Sequence, residues 1–180
     1  PIPASQPAPA SPPAASAEPA PLAVPISNTW RIMAERTTLA WTTTPHFFLQ
    51  RRALAGALLA WQRSAQSRSE AKITASDLLV MLCARALVRH PQVNYTWQNG
   101  GIVDSPAVNI GLAVAAADGL VVPVIRRADR LSLAEIARAR TDLVARARAG
   151  RLRLDDVTGG TFTISNLGMF GVERFLAILN

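Results

Sequence analysis

The 180-residue sequence is long enough for one sizeable hydrophobic core and short for two, and its 49% of hydrophobic residues include no unbroken run of membrane-spanning length, so it reads as soluble. The net charge of +7 is almost wholly arginine, Lys72 being the only lysine, and without interleaved aromatics or a reading helix it does not read as a nucleic-acid surface. The single Cys83 excludes an internal disulfide framework and a cysteine-based metal site. The chain starts at Pro1 with no basic-then-apolar leader, and is expected to be a piece of something longer.

Residues 1–25 are nearly all Pro, Ala and Ser. Such a tract buries too little apolar surface to offset its conformational entropy, while its prolines keep it extended, so it reads as a semi-rigid interdomain linker or a plain tail. Ser27 and Asn28 then offer N-cap side chains to a helix through about Trp41, with Trp30, Met33, Ala34 and Leu39 as its apolar stripe. His46-Phe47-Phe48-Leu49 predicts a short buried strand, with His46 packed between apolar neighbours, and a second helix is expected from about Leu54 to Ser67.

From Asp77 to Arg89 the sequence predicts a helix that is apolar almost all round and therefore central, with Cys83 as a small hydrophobe and His90-Pro91 as its stop. Beyond it the period falls to two. Val93 to Trp97, Ile102 to Asp104, Val108 to Ala115 and Leu120 to Ile125 are expected strands, and Asp118-Gly119 reads as a hairpin turn. Antiparallel strands beside buried helices predict an α+β layered sandwich.

Ser132-Leu133-Ala134-Glu135 is a capping box opening a helix that ends at Gly150, with Leu133, Ile136, Leu143, Val144 and Ala147 as its buried stripe. Arg138, Arg140, Arg146 and Arg148 mostly face away from that stripe and predict a solvated face. Gly159-Gly160-Thr161-Phe162-Thr163-Ile164-Ser165-Asn166-Leu167-Gly168-Met169-Phe170-Gly171 reads as a strand delivering a polar turn, with Gly168 and Gly171 permitting close approach to Ser165 and Asn166. Spacing alone also fits an ordinary strand end. A last strand is expected to begin at Phe175.

With Asp118-Gly119-Leu120-Val121-Val122-Pro123-Val124-Ile125-Arg126, Pro45-His46-Phe47 and Pro91-Gln92-Val93-Asn94 in the same order, residues Val24 to Asn180 resemble the catalytic domain of the dihydrolipoamide acyltransferases, the E2 component of 2-oxo acid dehydrogenase complexes. The resemblance implies a chloramphenicol-acetyltransferase-like two-layer α+β sandwich over residues 26–180, incomplete at the C-terminus, preceded by a linker at 1–25. It implies homotrimers assembling into a large hollow core, and partnership with a 2-oxo acid dehydrogenase (E1) and dihydrolipoamide dehydrogenase (E3), but with neither nucleic acid nor membrane. It also implies lipoate on an upstream domain, coenzyme A as substrate, and a place in the bacterial cytoplasm or the mitochondrial matrix.

In the implied reaction an acyl group passes from a dihydrolipoyl arm to the thiol of coenzyme A. A histidine takes the thiol proton, and a serine hydroxyl stabilises the tetrahedral oxyanion. Ser165 matches that serine, Asn166 and Met169 border the coenzyme A channel, and Arg63 corresponds to a coenzyme-contacting arginine. The Met169-Phe170 pair leans toward acetyl and the pyruvate complex. The family's His-x-x-x-Asp-Gly motif does not occur in these 180 residues, so truncation is expected and the fragment alone is expected to be inactive. Two further departures are Ala115, where some relatives carry Asp, and the basic Gln50-Arg51-Arg52. The alternative is a non-catalytic structural core subunit of the same kind of complex.

Overall fold

The structure, a computed structural model, describes residues 24–117 and 119–179. The expected linker therefore lies outside the described residues except for Val24 and Pro25, as does Asp118. Helix α1, Asn28–Thr43, starts at Ser27, whose hydroxyl accepts the Trp30 N–H at 3.2 Å. Its apolar stripe forms, yet no residue of α1 is buried. The expected strand at His46–Leu49 does not form. The segment is extended but has no partner strand among the described residues, and Phe47 is 83% exposed. Extended backbone becomes a strand only when a neighbour takes its N–H and C=O groups. His46 itself is half-buried between Trp41 and Phe48, its Nδ1 2.7 Å from the Thr44 carbonyl and its Nε2 accepting the Leu179 N–H at 3.3 Å.

Helices α2, Gly56–Gln66, and α3, Ala75–Arg89, follow close to expectation. Helix α3 is central, but on one side only. Leu78, Val80, Met81, Ala84 and Leu87 are buried, whereas Leu82 stays exposed on the opposite side and Val88 in the last turn. Half-buried Cys83 has its thiol pKa pushed up by burial, in keeping with a packing role.

Pro91–Asn94 is a 3-10 turn where a strand was expected to start. Proline suits the first position of a helical turn because its missing N–H would be unpaired there anyway. The strands are β1, Thr96–Gln98, β2, Gly101–Val103, β3, Ile110–Leu112, β4, Val114–Ala116, β5, Gly119–Val121, and β6, Val124–Ile125. The long run at Val108–Ala115 breaks at Ala113, and the run at Leu120–Ile125 breaks before β6 around Pro123, which has no N–H for a ladder. β4 and β5 form the expected hairpin, pairing Ala116 with Gly119.

Helix α4, Leu133–Arg148, opens on the Ser132–Glu135 capping box and closes with Gly150 at φ +63°. It is followed by β7, Phe162–Ile164. β3 lies in the middle of a three-stranded sheet, antiparallel to β6 and parallel to β7. The parallel pair was not expected. The α4 crossover returns the chain to run alongside β3, which a short hairpin could not do. No strand forms from Phe175 to Leu179.

The core lies between α3, α4 and these strands, with Ile110, Ile125 and Ile136 almost fully buried beside Leu78. Two of the arginines expected on a solvated face are tied down. Arg140 Nε lies 2.6 Å from the fully buried Asp77 carboxylate, and Arg146 pairs with Asp142 and Asp156. Asp142 is the i−4 neighbour of Arg146 on α4 itself, but Asp77 and Asp156 come from other elements, and helical spacing does not report them. Arg138 and Arg148 do stay exposed.

At Gly111 the sheet is too tight for a side chain. A Cβ there would sit 2.8 Å from Val122 Cγ1 and 3.2 Å from Thr163 Oγ1. Gly111→Ala is therefore expected to destabilise the fold by about 1–3 kcal/mol through overpacking, read as a lower urea midpoint at unchanged m-value.

Candidate active site

Strand β7 is held in register along β3, Ile110 facing Phe162 and Leu112 facing Ile164. The segment leading into it is anchored by Asn109, which the sequence reading passed over. Asn109 Nδ2 donates to the Gly159 carbonyl at 2.8 Å, its Oδ1 accepts the Arg127 N–H at 2.9 Å, and its carbonyl accepts the Thr161 N–H at 2.8 Å. Arg126 adds bonds to the Asp155 and Thr158 carbonyls. Gly159 takes φ +71° under that guanidinium, where a Cβ would lie 3.3 Å from Arg126 Nη1. The only sequence signal for Asn109 is a polar amide just ahead of an apolar strand, which by itself says little.

One turn earlier, Asp156 forms a clasp. Its carboxylate accepts the Arg153 backbone N–H at 2.8 Å and pairs with Arg146 of α4. The Arg153 N–H is the main reason its pKa falls from 3.8 to about 2, with burial opposing and the Arg146 and Arg153 side chains assisting. Because the folded-state value lies below the unfolded one, this contribution to stability is whole above about pH 4 and disappears as pH falls through about 2. The difference in melting temperature between the native protein and Asp156→Asn is expected to shrink across that window. A constant difference would show that the clasp holds without the charge.

Ser165 follows β7 directly. The Ile164 carbonyl ahead of it accepts the Ala113 N–H at 3.0 Å, and Ser165 is half-buried with a hydroxyl that makes no hydrogen bond among the described residues. Asn166 Oδ1 accepts the Gly168 N–H at 2.9 Å, and its Nδ2 lies 3.5 Å from Ser76 Oγ in the first turn of α3. A 3-10 turn at Gly168–Phe170 then leaves Met169 70% exposed.

Three of the four expected site residues, Ser165, Asn166 and Met169, thus share one turn. Arg63 stands exposed on α2, with no hydrogen bond or ion pair to that turn among the described residues. A cleft of about 540 Å³ between α1 and the sheet, bounded by Met33, Arg36, Leu120, Gly160 and Thr163, does not include Ser165. The placement of the hydroxyl and its unspent hydrogen-bonding capacity mark the turn as the candidate site, and cavity size does not.

Neither histidine is placed to act as a base on Ser165's neighbourhood. Both ring nitrogens of His46 are engaged. His90 caps the far end of α3 from Ser76, a separation of about 21 Å along the helix axis for fourteen residue steps.

The family model of the 2-oxoacid dehydrogenases acyltransferase (catalytic domain) matches residues 18–180. The chain belongs to this family. Among relatives of this acyltransferase-family chain, the mouse mitochondrial pyruvate dehydrogenase protein X component is 36% identical over 157 residues, 87% of this chain and 31% of that protein. The dihydrolipoyllysine-residue acetyltransferase component of the acetoin cleaving system of Bacillus subtilis is 44% identical over 117 residues, 65% of this chain and 29% of that protein. The chain thus spans about 30% of the length of these two relatives.

Two solved structures superpose closely. The cubic core of the pyruvate dehydrogenase multienzyme complex gives a TM-score of 0.83 at 32% identity, covering 95% of this chain and 73% of that one. A truncated catalytic core of the 2-oxoacid dehydrogenase multienzyme complex from Thermoplasma acidophilum gives 0.83 at 31%, covering 89% and 75%. The mixed helix-and-strand fold of this acyltransferase-family member is that of the acyltransferase cores.

Proposed function

We propose that the protein carrying this chain is an acyltransferase that moves an acyl group, acetyl by the Met169-Phe170 pair, from dihydrolipoamide to coenzyme A within a 2-oxo acid dehydrogenase complex. The single observation that supports it is Ser165, a half-buried serine with an uncommitted hydroxyl at the end of an edge strand whose backbone is bonded along β3. Thioester exchange passes through a tetrahedral intermediate whose oxygen gains a full negative charge, and a fixed O–H is worth far more to that charge than to the starting carbonyl. Asn166 and Met169 flank the hydroxyl, and Arg63 offers a cation toward the phosphates of coenzyme A.

The general base is a histidine from outside the described residues, supplied by another segment or another copy. In this reading the domain at 26–180 adopts the two-layer chloramphenicol-acetyltransferase-like arrangement, follows a linker at 1–25, and assembles as trimers into a large core. The named relatives belong to pyruvate dehydrogenase and acetoin-cleaving systems, which supports E1 and E3 partners, an upstream lipoyl domain, and a cytoplasmic or matrix setting.

The deciding assay mixes the full-length protein with an acyl-dihydrolipoamide and coenzyme A and follows formation of the new thioester. Transfer dependent on Ser165 is the expected result. A correctly assembled core that transfers nothing would favour the structural-subunit reading.

A further inference from the structure

We propose that Asn166 is a positioning residue, which acts on the reaction through Ser165 rather than by touching coenzyme A. The proposal rests on the reading of Ser165 as the oxyanion donor. Ser165 is one residue long between two anchors. On its N-terminal side the Ala113 N–H holds the Ile164 carbonyl at 3.0 Å. On its C-terminal side the chain leaves the sheet, and no ladder bond is available there.

The Asn166 side chain takes over that task. Its Oδ1 accepts the Gly168 N–H at 2.9 Å, which closes the turn, and its Nδ2 reaches Ser76 Oγ at 3.5 Å, which leans the turn on the first turn of α3. The geometry is close enough that a Cβ on Gly168 would lie 3.1 Å from Asn166 Oδ1. α3 is the most buried helix, with Leu78 and Val80 fully enclosed a few residues on, so the turn leans on a rigid support. Asn166 is exposed, but its Oδ1 and one N–H of its Nδ2 each have a protein partner, the Ser76 contact being the longer of the two. A hydroxyl that must meet a transient oxyanion within a few tenths of an ångström depends on such a support, because small misplacements cost rate rather than binding.

The experiment uses the full-length protein, acyl-dihydrolipoamide and coenzyme A, with Asn166→Ala, Ser165→Ala and the double variant, each shown by thermal melting to be folded. Asn166→Ala is expected to lower kcat by between about tenfold and about 100-fold while KM for coenzyme A stays within about twofold. In the Ser165→Ala background the same change is expected to cost nothing further, since the group it positions is gone. Ser76→Ala, which removes only the longer bond, is expected to lower kcat by about threefold at most.

A raised KM with kcat preserved, or losses that multiply in the double variant, would overturn the proposal and leave Ser165's role intact. Full activity in Ser165→Ala would overturn the functional reading and this proposal with it. Amide hydrogen exchange supplies a readout independent of turnover. The Gly168 N–H is expected to exchange faster in Asn166→Ala, and unchanged exchange would sink the idea even if the protein proved inactive.

Discussion

Ser165→Ala is expected to lower kcat for acyl transfer by about 100-fold or more, with KM for coenzyme A nearly unchanged, in the range seen when one oxyanion donor is removed. The reasoning starts from the backbone. β7 is pinned along the central strand β3, and Ile164 is bonded to Ala113, so the serine is delivered at a fixed point on the edge of the sheet. Its hydroxyl has no competing acceptor among the described residues, so its proton can be offered to an incoming oxygen. Because the charge exists only in the transition state, the loss falls on kcat and not on substrate binding. Equal losses in kcat and binding would assign Ser165 to holding substrate, and an unchanged kcat would remove it from the chemistry.

Arg140→Ala is expected to be the most destabilising of the substitutions considered, by about 3–5 kcal/mol, the range for stripping one partner from a buried ion pair. Asp77 has no exposed surface, and its carboxylate serves two masters. Oδ2 completes the α3 cap by accepting the Thr74 N–H and hydroxyl, both at 2.7 Å, while Oδ1 receives Arg140 Nε at 2.6 Å. Arg140 also donates to the Lys72 carbonyl at 2.9 Å, tying α4 to the segment ahead of α3. Removing the guanidinium leaves a buried charge supported only by its own cap. For a chain of this size the melting temperature should fall by about 6–20 °C. A loss below about 1 kcal/mol in urea titration would mean that the Thr74 cap or solvent satisfies Asp77 without help. Since the first turn of α3 also carries Ser76, partial unfolding there should loosen the Ser165 turn as well.

Much of this molecule was legible because its signals are local. The Ser132–Glu135 capping box, the glycine after α4, the Pro91 stop and the hairpin between β4 and β5 each depend on residues within four positions of one another. The turn holding Ser165, Asn166 and Met169 was legible for the same reason. What failed did so where the outcome depends on a distant neighbour. His46–Leu49 and Phe175–Leu179 carry strand-like composition, yet neither pairs, although His46 Nε2 meets the Leu179 N–H and Arg174 meets Gln50 across the gap between them. Arg140 and Arg146 looked like solvated charges until Asp77 and Asp156 were brought beside them.

By itself, then, the sequence determined where helices begin and end, which faces are apolar, and which turn carries the candidate hydroxyl, because capping, periodicity and glycine geometry act over a few residues. Only the tertiary structure decided that β7 lies parallel to β3, that Asn109 anchors the segment leading into it, that Asp77 is buried against Arg140, and that Asn166 leans on Ser76. Each of these joins groups fifty or more residues apart or depends on which strand lies alongside, except the Asn109 bond to Arg127, and no local propensity encodes a pairing whose worth comes from the water it excludes.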